Sequence, residues 1–263
     1  MENHLVELNH LSGITVVTLN RSQALNALSN PLRNTISATF DKLANDESTE
    51  VIILTGAGRA FTVGLDLKEL GGEISQTEKP LSRDIEMAMR EVGKPIIGAV
   101  NGFAITGGFE MALMCDFLVA TPSAKFADTH ARVGVVPGWG LSQKLPRLIG
   151  INRAKELSLT GNFLDAKTAL DWGLVNRVVD PEILIPTCIE LANDILSTDK
   201  VTRTEIRKIM DAGWLSTLEA GLDKEKEANR AHNRKHRPDD KVASRRNDIQ
   251  ARGRAQTTNS HQD

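Results

Sequence analysis

The sequence predicts an α/β fold in which strands alternate with helices, followed by an all-helical C-terminal segment. Three observations carry this. Short apolar runs at Val51, Ile96 and Asp116 each lead through a glycine turn into residues with helical spacing. The runs Leu5 to Leu8 and Ile14 to Leu19 are rich in Val, Ile, Leu and Thr and break at Ser12-Gly13, as hairpin strands do. From Val201 onward, Ile206, Ile209, Met210, Trp214, Leu215 and Leu218 recur at helical intervals with no strand between them. The expected division is a core over residues 1–198 and a helical segment over residues 199–263.

The elements follow in order. After the hairpin, Asn20 to Leu28 is a loop, and Ser29 is positioned to cap a helix with Pro31 in its first turn, running through Ile36, Phe40 and Leu43. Val51 to Leu54 is a buried strand, and Thr55 to Arg59 turns the chain. Gly64 precedes another helix start, and Gly71 to Pro80 is polar and glycine-rich, the composition of a mobile surface loop. Ser82 is expected to cap a helix through Ile85, Met89 and Val92. Ile96 to Val100, Asp116 to Ala120 and Lys125 to Ala127 are strands, and Phe109 to Cys115 is a helix. Gly138-Trp139-Gly140 opens a helix through Leu145. Arg153 to Leu159, Asp165 to Trp172 and Pro181 to Leu196 are further helices, with Val175 to Val179 a strand. Pro238 breaks the C-terminal helices, a last helix runs from about Lys241 to Ala251, and Thr257 to Asp263 are expected to be disordered.

Hydrophobic residues make up 40% and charged residues 25%, the balance of a globular protein with a sizeable core. No apolar run approaches the ~20 residues that span a bilayer, and the first residues lack the basic and apolar regions of a signal peptide. Cys115 and Cys188 form no metal-ligand or redox pair by spacing, so a reduced, cytoplasmic setting is expected. From Asp199 onward 15 basic residues meet 11 acidic ones, a balance of +4 against −6 for the rest. Acids interleave with these bases and no aromatic residue does, which describes a solvated helical surface rather than a nucleic-acid platform. No G-x-G-x-x-G sequence opens a helix, which excludes the dinucleotide reading.

The stretch Ala99 to Glu110 carries the chemistry. A buried strand runs into a turn with Gly107 and Gly108, where a ligand can approach the backbone and meet the unpaired N–H groups of a helix start. Glu110 follows one turn in. Anion-stabilising donors beside a carboxylate suit chemistry on a carbonyl.

Several motifs, in this order and spacing, resemble the crotonase (enoyl-CoA hydratase/isomerase) superfamily. They are Ala24-Leu25-Asn26-Ala27-Leu28, Gly58 to Phe61, Gly64 to Glu69, Ala99 to Glu110, Cys115-Asp116, Gly134 to Gly138, Leu159-Thr160-Gly161 and Ala169 to Val175. The resemblance implies a spiral of β-β-α units whose C-terminal helices assemble trimers or dimers of trimers. It also implies an acyl-CoA thioester as substrate and a place in fatty-acid β-oxidation. Coenzyme A enters as part of the substrate; no covalently bound cofactor, metal, membrane or nucleic-acid partner is implied. The thioester oxygen would lie between the N–H groups of Leu65 and Gly107. Substrate and coenzyme A would follow Ala24, Leu25, Ala27, Val63, Gly64, Asp66, Leu67, Gly108, Pro137 and Trp139. Where the family often has Lys in the first loop this chain has Gln23, which leaves Arg59 as the expected cation for a phosphate.

Family hydratases use two glutamates. The first matches Glu110; the second falls on His130, an imidazole able to exchange protons near neutrality. His130 is thus either an acid-base group or a loop residue pairing with Asp128 or Asp116, and Asp128 is a second candidate. Trp139, where relatives have a small residue, either narrows the acyl pocket or is a core or interface residue. The expected activity is 2-enoyl-CoA hydration; hydrolysis, C–C cleavage and non-catalytic acyl-CoA or RNA binding are the alternatives.

Overall fold

The computed structural model describes residues 4–72, 84–236 and 238–259. The chain divides into two compact units, Met1–Thr198 and Asp199–Asp263.

In the first unit, strand β1 (Val6–Leu11) pairs antiparallel with β2 (Gly13–Leu19). The chain continues through α1 (Asn30–Asn45), β3 (Thr49–Gly56), β4 (Ala60–Thr62), α2 (Leu67–Leu70), α3 (Ile85–Glu91), β5 (Ile96–Val100), β6 (Phe103–Ile105) and α4 (Gly107–Ala112). It ends with β7 (Phe117–Ala120), β8 (Lys125–Ala127), α5 (His130–Val133), α6 (Leu141–Ile149), α7 (Ile151–Thr160), β9 (Leu164–Asp165), α8 (Ala166–Asp171), β10 (Arg177–Val178) and α9 (Leu184–Leu196). One sheet runs β1-β2-β3-β5-β7-β10 and is parallel beyond the hairpin; a second runs β4-β6-β8-β9. Strands β3, β5 and β7 each pass the chain to β4, β6 and β8, which lead into α2, α4 and α5. These are three turns of one β-β-α spiral.

Alternation along the parallel strands builds two cores. Val17, Leu19, Ile52, Leu54, Ile96 and Val100 face Leu32, Ile36 and Phe40 of α1 and Met89 of α3. Their neighbours Val16, Val51, Ile53, Ile97 and Ala99 face Leu184, Cys188 and Ala192 of α9. Each fully buried Ile or Leu contributes about 1.5–3 kcal/mol.

Several boundaries differ from the sequence reading. The turns after Val51 and Ile96 hold the short strands β4 and β6, each of three residues, too few to show a period. Ser29 is the N-cap residue of α1 but makes no side-chain cap; the Glu69 carboxylate, from α2, accepts from Asn30 N at 2.8 Å instead. Asp84 caps α3 through Met87 N at 3.0 Å; the expected cap, Ser82, and most of the expected loop at Gly71 to Pro80 lie outside the described residues. Helix α4 begins at Gly107 rather than Phe109, and the strand expected over Val175 to Val179 is only the pair forming β10.

The second unit holds α10 (Lys200–Trp214), α11 (Leu218–Lys235) and α12 (Pro238–Asn259). The break at Pro238 is present, but α12 continues past Ala251 through Thr257 to Asn259, where disorder was expected. Ile206, Met210, Trp214, Leu215, Leu218 and Leu222 are exposed in this unit. Among the described residues, no helix is long and apolar enough to cross a membrane.

Candidate active site

The strands β4, β6 and β8 lie side by side and parallel, so their C-terminal ends open onto one place. From those ends come the three parts of the site.

The exit of β4 delivers Leu65. Gly64 before it has φ +82°, and a Cβ there would stand 2.7 Å from Ile105 O and 2.8 Å from Gly107 N. Only glycine lets the two turns touch. The exit of β6 delivers Gly107, the first residue of α4. Gly108 follows because a Cβ there would fall 1.9 Å from Thr62 O. Among the described residues, neither Leu65 N nor Gly107 N finds a protein acceptor, so both donors are free for a ligand oxygen. Thr106, ahead of Gly107, has φ +55° and ψ −113°, a conformation rare for a side chain with a branched Cβ. It is held by its N–H to Ala127 O at 2.8 Å and by a hydroxyl pair with Thr129.

Glu110, one turn into α4, is 3% exposed. Its Oε1 accepts from Trp139 N at 2.7 Å and more weakly from Leu141 N at 3.5 Å. Its Oε2 stands 3.4 Å from His130 Nε2. His130 opens α5 at the exit of β8, and its Nδ1 lies 2.6 Å from Asp128 Oδ1. Burial works against a charged imidazole here, but the hydrogen bonds and charges of Asp128 and Glu110 outweigh it and push the His130 pKa up to about 9. Asp128, also buried, is nonetheless held below the usual carboxylate range by His130 and by the hydroxyl of Ser158 on α7.

A cavity of about 790 Å³ opens over these groups. Ala24, Leu25, Ala27, Val63, Leu65, Asp66, Leu67, Gly107, Glu110, His130 and Trp139 all line it. The Trp139 ring covers Gly107: a Cβ on that glycine would meet Cζ3 at 3.3 Å. Gly64 and Gly108 act behind the wall, and Gly138 rather than Pro137 faces the cavity. Arg59 does not line it. Its carbonyl, in the turn before β4, accepts from the N–H of Phe103, which does line the cavity.

Besides His130, the basic side chains on the wall are Arg21, Arg33 and Lys68. Arg21 Nη1 donates to Ala27 O at 2.9 Å and pairs with Asp66 Oδ2 at 2.6 Å. Burial raises the Asp66 pKa, but the Arg21 hydrogen bond and charge bring it below its ordinary value. The first loop takes its shape from Asn26, which is fully buried. Its amide donates to Ala57 O at 3.0 Å, Ala60 O at 2.8 Å and Phe61 O at 3.2 Å, and its Oδ1 accepts from Arg21 N at 2.9 Å. The sequence signal for these roles was slight: a cation at the start of the loop, and an Asn within a run of Ala and Leu.

A family model described as enoyl-CoA hydratase/isomerase matches residues 9–241. A protein of Arabidopsis thaliana named probable enoyl-CoA hydratase 1, peroxisomal, is 42% identical over 88% of this chain and 86% of its own length. The short-chain-enoyl-CoA hydratase of Clostridium acetobutylicum is 36% identical over 87% of this chain and 89% of its own. Among solved structures, an enoyl-CoA hydratase subunit from Geobacillus kaustophilus superposes with a TM-score of 0.79 at 32% identity, covering 88% of this chain and 90% of that one. Glycine turns, paired backbone donors and a first-turn glutamate thus occur in a chain that matches these relatives along most of its length. The chain belongs to the enoyl-CoA hydratase/isomerase family.

Proposed function

We propose that the protein is a 2-enoyl-CoA hydratase, a lyase that adds water across the 2,3 double bond of an acyl-CoA thioester. The observation that carries this reading is the 3.4 Å gap between Glu110 Oε2 and His130 Nε2, beside two free backbone donors. Addition at the β-carbon sends charge to the thioester oxygen, where Leu65 N and Gly107 N receive it. Each such donor is worth about 2.7–4 kcal/mol in rate. Glu110 orients the water and takes its proton; His130 supplies the proton to the α-carbon. His130 stands where family hydratases have their second glutamate, which makes it the distinctive group of this site. Coenzyme A, as part of the substrate, follows Ala24, Leu25, Ala27 and Asp66 at the wall, with Arg21 and Lys68 in place of Arg59 as cations for its phosphates. Trp139 narrows the acyl side. The exposed apolar residues of α10 and α11 suit burial against further copies in a trimer or dimer of trimers, and a monomer by light scattering overturns that assembly.

The activity is tested by mixing the protein with crotonyl-CoA and longer enoyl-CoAs and following loss of the conjugated enoyl absorbance. Glu110→Gln is expected to slow turnover by about 10²–10⁴-fold. Absence of turnover in the unaltered protein, or turnover indifferent to that substitution, overturns the assignment.

A further inference from the structure

We propose that Asp128 is the positioning residue of this site. It fixes the His130 ring with Nε2 toward Glu110 and keeps a proton on it, so that the Asp128–His130 couple is the proton carrier for the acyl α-carbon. This rests on the hydratase reading above.

The geometry is that of a clamp. Asp128 is 1% exposed, and its Oδ1 accepts both the backbone N–H of His130 at 3.2 Å and Nδ1 at 2.6 Å. Two donors from one residue on one oxygen leave the imidazole a single orientation. With Nδ1 engaged, Nε2 is the nitrogen left to face Glu110 at 3.4 Å. Asp128 is itself held from α7 by the Ser158 hydroxyl. It also follows directly on Ala127, whose carbonyl holds Thr106 before the Gly107 donor.

Charge supplies the second argument. The charged groups facing the His130 ring are Asp128, from the exit of β8, and Glu110, from α4; α7 contributes the Ser158 hydroxyl on Asp128. Trp139 N and Leu141 N reach only the far oxygen of Glu110. A neutral imidazole would leave two buried carboxylates with no cation between them, which low-dielectric surroundings penalise. A protonated one leaves a net charge of −1 and one mobile proton. The direction of the His130 titration agrees.

The proton account then closes within the site. In hydration the water oxygen bonds the β-carbon and its proton passes to Glu110. The proton on His130 Nε2 bonds the α-carbon, leaving neutral imidazole beside a protonated Glu110. Transfer across the Oε2–Nε2 gap restores the starting state, and the sum is one water added.

The test compares Asp128→Asn and Asp128→Glu with the unaltered full chain. It uses crotonyl-CoA kinetics across pH and the imidazole titration of ¹⁵N-histidine-labelled protein, assigned by difference with His130→Gln. For Asp128→Asn, kcat is expected to fall by about 10²-fold with KM within about twofold. The alkaline limb and the ring titration should both move down from about 9 toward neutrality. Asp128→Glu should recover part of each. An unmoved ring titration in a folded Asn variant overturns the proposal, even if activity falls. If the unaltered protein hydrates no enoyl-CoA, the hydratase reading fails and the ring titration still decides the role of Asp128. Should the Asn variant not fold, Ser158→Ala is read by the same titration: a smaller downward shift supports the clamp and no shift overturns it.

Discussion

Leu65 and Gly107 both present a backbone N–H to the cavity, each from the turn between a short strand and a helix. Ahead of Leu65 stands Gly64 at φ +82°, a conformation glycine adopts freely. Ahead of Gly107 stands Thr106 at φ +55° and ψ −113°, which costs a non-glycine residue on the order of 1–3 kcal/mol. The first turn is shaped by what is missing, a Cβ. The second is shaped by what pins it, the Ala127 carbonyl and the Thr129 hydroxyl. The strained turn is therefore tied to the segment that carries Asp128 and His130, and the relaxed turn is not. The relaxed turn is held instead by the first loop, whose Leu28 N donates to Gly64 O at 2.8 Å.

This contrast can be broken at three levels. The largest effect is expected from Gly64→Ala, because the new Cβ would press on Ile105 O and Gly107 N from an unfavourable φ. Both donors shift together, and kcat should fall by about 10²–10³-fold; a loss under tenfold in a folded variant would show the two turns to be independent. A middle effect is expected from Thr129→Val, which keeps the shape and removes the hydroxyl that pins Thr106. Stability should drop by about 1 kcal/mol, read from the urea midpoint, with kcat a few-fold lower. The paired substitution Thr106→Gly should then restore stability, since glycine carries no strain to pin. The smallest effect is expected from Leu65→Met: the proposed function assigns the work to its backbone N–H, so a volume-conserving side chain should leave kcat within about twofold. A large loss there would mean that the Leu65 side chain, not its N–H, governs the site.

Legibility followed the physics of each signal. Gly64 and Gly108 marked their turns in the sequence because close backbone contact admits nothing larger, and Gly107 stands beside them. Glu110 and His130 were found because a motif fixes their distance from those turns. Thr106 gave no sign, since a threonine at a helix N-cap is ordinary and its backbone angles are imposed by Ala127 and Thr129 from elsewhere in the chain. Arg59 was expected beside a coenzyme A phosphate because it stands next to the right residues in sequence, yet it does not line the cavity and Arg21, more than forty positions from its partner Asp66, does. The same long-range substitution explains Glu69 capping α1 in place of Ser29. The three-residue strands β4 and β6 escaped because a period of two cannot be read from them and they sit inside glycine turns, whereas β8, α1 and the long strands of the first sheet were legible.

Asn26 has a consequence for how the protein is made. Its amide is satisfied by carbonyls 31, 34 and 35 residues further along the chain. A polypeptide emerging from the ribosome has none of these three acceptors until Ala57 has been added, and lacks the full set until Phe61 has been added and has room to return. The loop that lines the cavity is thus among the earliest segments synthesised and acquires its shape only when a later one arrives. An interrupted chain ending before that point carries the loop's residues without the loop.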